Sequence, residues 1–131
     1  MRSGETTLTE YPAEKAIVVS GQLETLNATI GMIRELGYDV VTVDSAAEAL
    51  DLIQHDEHIS LLFSDVIIPD MNGIALARAV RFISPGMQII LASECAAKIF
   101  EDDEVNPKEF GLITKPCSFT EVAKLCTSRP H

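Results

Sequence analysis

The sequence predicts a doubly wound α/β domain, a five-stranded parallel sheet covered by helices on both faces. Three observations carry this expectation. Short apolar runs rich in β-branched residues alternate with segments of helical periodicity, five of each occur, and the segments that join them are short. Strands in βαβ crossovers are buried on both faces, so they read as continuous apolar runs, and the crossovers are right-handed. A length of 131 residues suits one hydrophobic core. With 47% hydrophobic against 23% charged residues, the chain has the material to fill that core.

Residues 1–14 are polar, contain Pro12 and read as a flexible arm. Residues 15–128 form the expected domain and 129–131 a short tail. The first strand, β1, is Ala16–Val19, ended by Ser20-Gly21. Leu23, Leu26, Ile30, Ile33 and Leu36 recur at helical spacing and define α1, with Gly37 as its stop. Tyr38–Val43 is β2, and Asp44-Ser45 offers an N-cap for α2, whose Ala46, Ala49, Leu50 and Ile53 share a face. Ile59–Phe63 is β3, ending in Ser64-Asp65 before the turn cluster Pro69-Asp70-Met71-Asn72-Gly73. Ile74–Ile83 gives α3, stopped by Ser84-Pro85-Gly86, and Met87–Ala92 gives β4. A weaker α4 begins at Ala96, reaches about Glu101 and meets the acidic run Glu101–Glu104, read as a solvated surface. Gly111–Thr114 is β5, and Ser118 can cap α5 from about Phe119 to Thr127.

Ten Lys+Arg against twenty Asp+Glu give a formal charge of −10, which opposes nonspecific binding to DNA or RNA. Cys95, Cys117 and Cys126 have no metal spacing, and the default is buried or partly buried thiols. His55 and His58 form HxxH with no further ligands and read as two exposed imidazoles. There is no signal-peptide core and no membrane-length apolar run, so the reading is a cytoplasmic protein without a membrane partner.

In doubly wound sheets, ligands bind beyond the carboxyl ends of the strands. Asp65, Ser93 and Lys115 lie at three such ends. A carboxylate can attack a phosphoryl group, a hydroxyl can bond its oxygens, and an ammonium can offset its charge. The ordered set Leu61-Leu-Phe-Ser-Asp65, Pro69-Asp-Met-Asn-Gly73, Ile89-Ile-Leu-Ala-Ser93 and Leu112-Ile-Thr-Lys-Pro116 resembles the receiver domain of two-component response regulators. The intervals of 28 residues from Asp65 to Ser93 and 22 from Ser93 to Lys115 are similar to the family's.

The resemblance implies a flavodoxin-like (βα)5 receiver fold with strand order 2-1-3-4-5. It implies Asp65 as phospho-acceptor, Ser93 as the hydroxyl switch, Lys115 as the phosphoryl-sensing cation and a cis peptide before Pro116. It also implies a signalling module that is not an enzyme. Its partners would be a histidine kinase or phosphotransfer protein and a downstream protein target, with a homodimer through α4-β5-α5 as one route of output. Because the sequence stops soon after α5, the expectation is a stand-alone domain. The pattern breaks at Ser20-Gly21, where receivers usually carry adjacent acids that hold magnesium with the acceptor. The intervals of 45 and 44 residues to Asp65 match those acids, so the substitution is in register. No cofactor is therefore expected and magnesium should bind weakly, with Gln22 and Glu24 as the nearby polar residues. Leu112 stands where an aromatic commonly reports activation and reads as ordinary strand packing. Two readings follow: a phospho-switch acting through the β4-α4-β5 surface, and a pseudo-receiver that binds partners without phosphorylation. A flavin- or nucleotide-binding enzyme is disfavoured, since the β1–α1 turn has no GxGxxG or P-loop pattern.

Overall fold

The computed structural model describes residues 14–95, 109–116 and 118–127. The strands are β1 Lys15–Val19, β2 Asp39–Val43, β3 Ile59–Asp65, β4 Gln88–Ser93 and β5 Gly111–Thr114. They form one sheet in the order β2-β1-β3-β4-β5, every neighbouring pair parallel. The expected strand order 2-1-3-4-5 is the observed one. Expected α4, the acidic run Glu101–Glu104 and Cys117 lie outside the described residues.

Alternate residues of the central strands feed two cores, which is why those strands are apolar without a break. Ile17, Val19, Leu62, Ile89 and Leu91 face α2 (Ala46–His55) and α3 (Gly73–Ile83). Ala16, Val18, Leu61, Phe63, Ile90 and Ala92 face α1 (Asn27–Glu35) and α5 (Phe119–Thr127). Leu112 is half-buried against the first of these cores.

The helix ends follow local chemistry. Ser45 Oγ accepts from the Glu48 amide (3.2 Å) at the start of α2, and Asn72 Oδ1 accepts from the Ile74 amide (2.7 Å) at the start of α3. Ser118 and Glu121 form a reciprocal cap on α5, each accepting from the other's amide. The start of α1 differs from expectation. Leu23–Leu26 is a 3-10 turn and the α-helix begins at Asn27, because neither Gln22 nor Leu26 supplies a side-chain cap and the first turn tightens instead. At its other end Gly37 takes φ 102°, which a side chain would resist, and closes the helix on the Arg34 carbonyl.

Candidate functional site

Parallel pairing brings the carboxyl ends of β1, β3, β4 and β5 to one edge. Val19 lies beside Ser64, Asp65 beside Ala92 and Ser93 beside Thr114. Asp65 is the last residue of β3 and is only 6% exposed. Ser20, fully buried, donates from Oγ to Asp65 Oδ2 at 2.5 Å and accepts the Gln22 amide at 2.9 Å. Lys115 Nζ lies 2.6 Å from Asp65 Oδ1. Among the described residues Oδ1 has no aligned hydrogen bond, so this is a contact between charges rather than a directed bond.

Lys115 reaches the site because its amide donates to the Ser93 carbonyl (2.9 Å), extending the β4–β5 pairing by one residue. The Lys115–Pro116 peptide is cis. Ser93 is half-buried and its Oγ accepts the Cys95 amide at 3.2 Å. Asp65 opens on two hollows. One, of about 140 Å³, has Ser93 and Lys115 in its wall; the other, of about 410 Å³, is bounded by Gly21, Gln22 and Pro69.

The loop from Val66 to Asn72 is tied down at both ends. The Gly73 amide donates to the Val66 carbonyl at 2.6 Å, and a Cβ on Gly73 would collide with the Asp65 carbonyl oxygen, so α3 can start this close only from glycine. Asp70 caps α2 from outside: Oδ1 accepts the Ala46 amide (2.8 Å) and Oδ2 the Ala47 amide (3.1 Å). Those two bonds hold the Asp70 carboxyl below its ordinary value of 3.8.

The three residues proposed from sequence for phosphoryl capture, Asp65, Ser93 and Lys115, all line the smaller hollow. Gln22 lines the larger one, whereas Glu24 is an exposed first-turn residue outside its walls. Sequence reasoning missed Glu94, whose carboxylate-bearing side chain lines both hollows; its position next to Ser93 was the available signal. It also missed Asp70, a turn residue whose bonding partner lies 24 positions away. Cys126 is buried as expected, but Cys95 is exposed, because the chain has left the sheet after Ser93. His55 and His58 are exposed, and among the described residues no group of three or more His, Cys, Asp and Glu is placed to hold a metal.

A parallel sheet in this order, with a buried carboxylate at the central strand's end, a hydroxyl at the end of the next strand and a lysine just past the one after it, defines a flavodoxin-like signalling domain of the receiver class. The family profile described as the response regulator receiver domain matches residues 17–127, and the chain belongs to that family. Receiver domains are signalling modules that interact with histidine kinases or phosphotransfer proteins. The response regulator receiver protein CpdR of Brucella abortus (strain 2308) is 33% identical over 84 residues, covering 64% of this chain and 69% of that protein. The sensor kinase CckA of the same organism is 30% identical over 124 residues, covering 87% of this chain but 13% of the kinase. Among solved structures, chemotaxis protein CheY4 of Vibrio cholerae has a TM-score of 0.74 at 23% identity, covering 91% of this chain and 100% of that one. A CheY-like receiver domain protein from Methanospirillum hungatei JF-1 has a TM-score of 0.72 at 23% identity, covering 86% and 90%. At these identities the structural likeness shows the fold. Among the described residues no helix is long and apolar enough to cross a membrane.

Proposed function

We propose that this domain is a phosphorelay switch in which Asp65 accepts a phosphoryl group from a histidine kinase or phosphotransfer protein. The observation that supports it most is the pairing of buried Asp65 Oδ1 with Lys115 Nζ at 2.6 Å, beside an open hollow walled by Ser93. On phosphorylation, Lys115 meets the new negative charge and the Ser93 hydroxyl turns from the Cys95 amide toward a phosphoryl oxygen. Both residues lie at the ends of β4 and β5, so the change is passed to the surface those strands share with the sequence expected to form α4. The site acts in the cytoplasm through a downstream protein or through a homodimer on the α4-β5-α5 face; the charge of −10 argues against a nucleic-acid partner.

The experiment is phosphotransfer from a phosphorylated histidine phosphotransfer protein, read by intact mass and by mapping of the acyl phosphate. One phosphoryl group should appear on the wild type and none on Asp65→Asn. Labelling that survives Asp65→Asn would move the acceptor elsewhere. A second reading, a pseudo-receiver that binds partners without phosphorylation, is favoured by Ser20-Gly21 in place of the acids. Partner affinity unchanged by both phosphorylation and Asp65→Asn would select it.

A further inference from the structure

On the side of Asp65 where receivers hold magnesium, a hollow bounded by Gly21 and Gln22 remains, but the carboxylate oxygen that faces Ser20 is already engaged by protein. Oδ2 already accepts the single proton of the Ser20 hydroxyl at 2.5 Å, and Ser20 is fully buried. The same Oγ accepts the Gln22 amide, which fixes the side chain in the orientation that serves Asp65. A cation on Oδ2 would have to break this buried bond and would receive in return a neutral hydroxyl, where the family offers carboxylates.

Gly21 closes the second position. A Cβ there would lie 3.2 and 3.3 Å from Pro69 Cγ and Cδ, tighter than ordinary van der Waals contact. A carboxylate at 21 could enter only if Pro69 gave way. Pro69 gives way poorly, since the next residue, Asp70, is bonded to two amides of α2. Glu94 also lines the hollow, but among the described residues no group of three or more His, Cys, Asp and Glu is placed to hold a metal, so the residues present do not fit the magnesium shell that the family implies.

Resting on the reading of Asp65 as acceptor, we infer that this site captures phosphoryl without a divalent cation, and that Ser20 is the positioning residue that holds Asp65 for attack in the metal's place. Ser20 holds Oδ2, which leaves Oδ1, beside Lys115, as the attacking oxygen. With a phosphohistidine donor, Oδ1 forms the new O–P bond while the P–N bond breaks. Its electron pair leaves with the imidazole nitrogen, which takes up a proton from solvent. Lys115 meets the charge on the transferred group, and Oδ2 remains bonded to Ser20 as the carbonyl oxygen of the acyl phosphate.

The test uses the full chain and phosphoramidate, a small P–N donor, with the adduct followed by intact mass in excess EDTA and in millimolar magnesium. Rates in the two conditions should agree to within about twofold, where transfer that depends on a metal collapses on chelation. Manganese titration should leave the amide resonances of Ser20, Gly21 and Asp65 unbroadened. Ser20→Ala should slow labelling about tenfold in both conditions, the loss of a hydrogen bond to a charged group, and Ser20→Thr should restore it.

Labelling that requires magnesium, or selective broadening by manganese at those three residues, overturns the inference and leaves Asp65 an acceptor. Wild-type rates in Ser20→Ala overturn the role of Ser20. No adduct in either condition, with no beryllofluoride shift at Ser93 or Lys115, overturns the acceptor reading and this inference with it. The chelation and manganese arms use wild-type protein, so they stand whether or not Ser20→Ala folds.

Discussion

Asp65 and Lys115 are unequal partners. The Asp65 side chain is 8% exposed on a short stem, whereas the Lys115 side chain, at 26%, has a long stem that can carry its ammonium outward. Removing each should therefore have different consequences. Lys115→Ala leaves a buried carboxylate with, among the described residues, the Ser20 hydroxyl on it, and should cost about 3 kcal/mol, as breaking one side of a buried pair does. Asp65→Asn keeps an acceptor for Ser20 and frees a lysine that can hydrate, so it should cost little. The double variant should recover most of the loss, because no buried charge remains to be compensated. Urea unfolding of the three variants measures this asymmetry, and equal costs for the two single variants would contradict it.

At the scale of elements, α3 is fastened to the sheet by an arginine that periodicity alone would assign to solvent. Arg81 donates from one guanidinium nitrogen to the Pro85 and Met87 carbonyls (2.9 and 2.5 Å) and from another to the Glu109 carbonyl (3.2 Å). It thus joins the end of α3 to the approach of β4 and to the residues just before β5. Planar donors in a fixed fork suit carbonyls arriving from different directions, and an ammonium does not reproduce that geometry. Arg81→Ala should cost about 2 kcal/mol in urea unfolding, within the range for hydrogen bonds to charged groups, and Arg81→Lys should recover less than half. A fully rescuing lysine would show that charge alone, and not the fork, fastens the helix.

For the whole molecule, what the sequence made legible was what local pattern determines. Apolar runs such as Ile89–Leu91 marked strands, Gly37 and Ser118 marked helix ends, and the spacing of Asp65, Ser93 and Lys115 marked one sheet edge. What it hid were bonds between distant residues: Ser20 on Asp65, Asp70 on α2 and Arg81 on Glu109. Each joins groups that only the fold brings together, and none has a periodicity to betray it. Two such long-range carboxylates sit at opposite ends of the sheet and should govern acid stability. Near the amino ends of the strands, the Lys15 ammonium (2.6 Å) and then the His58 amide hold the Asp56 carboxyl below its ordinary 3.8. At the carboxyl ends, the α2 amides do the same for Asp70. Because both folded values are lowered, the unfolded chain takes up protons first on acidification. The stability these groups contribute is complete above 3.8 and is lost as pH falls through the lowered folded values. Asp56→Asn and Asp70→Asn should each lower the urea midpoint at neutral pH, and their effects should add across the length of the sheet. Both deficits should shrink as the pH is taken below 3.8, where the wild type loses the same contribution. A deficit constant across that range would show that shape, and not charge, fixes these two carboxylates.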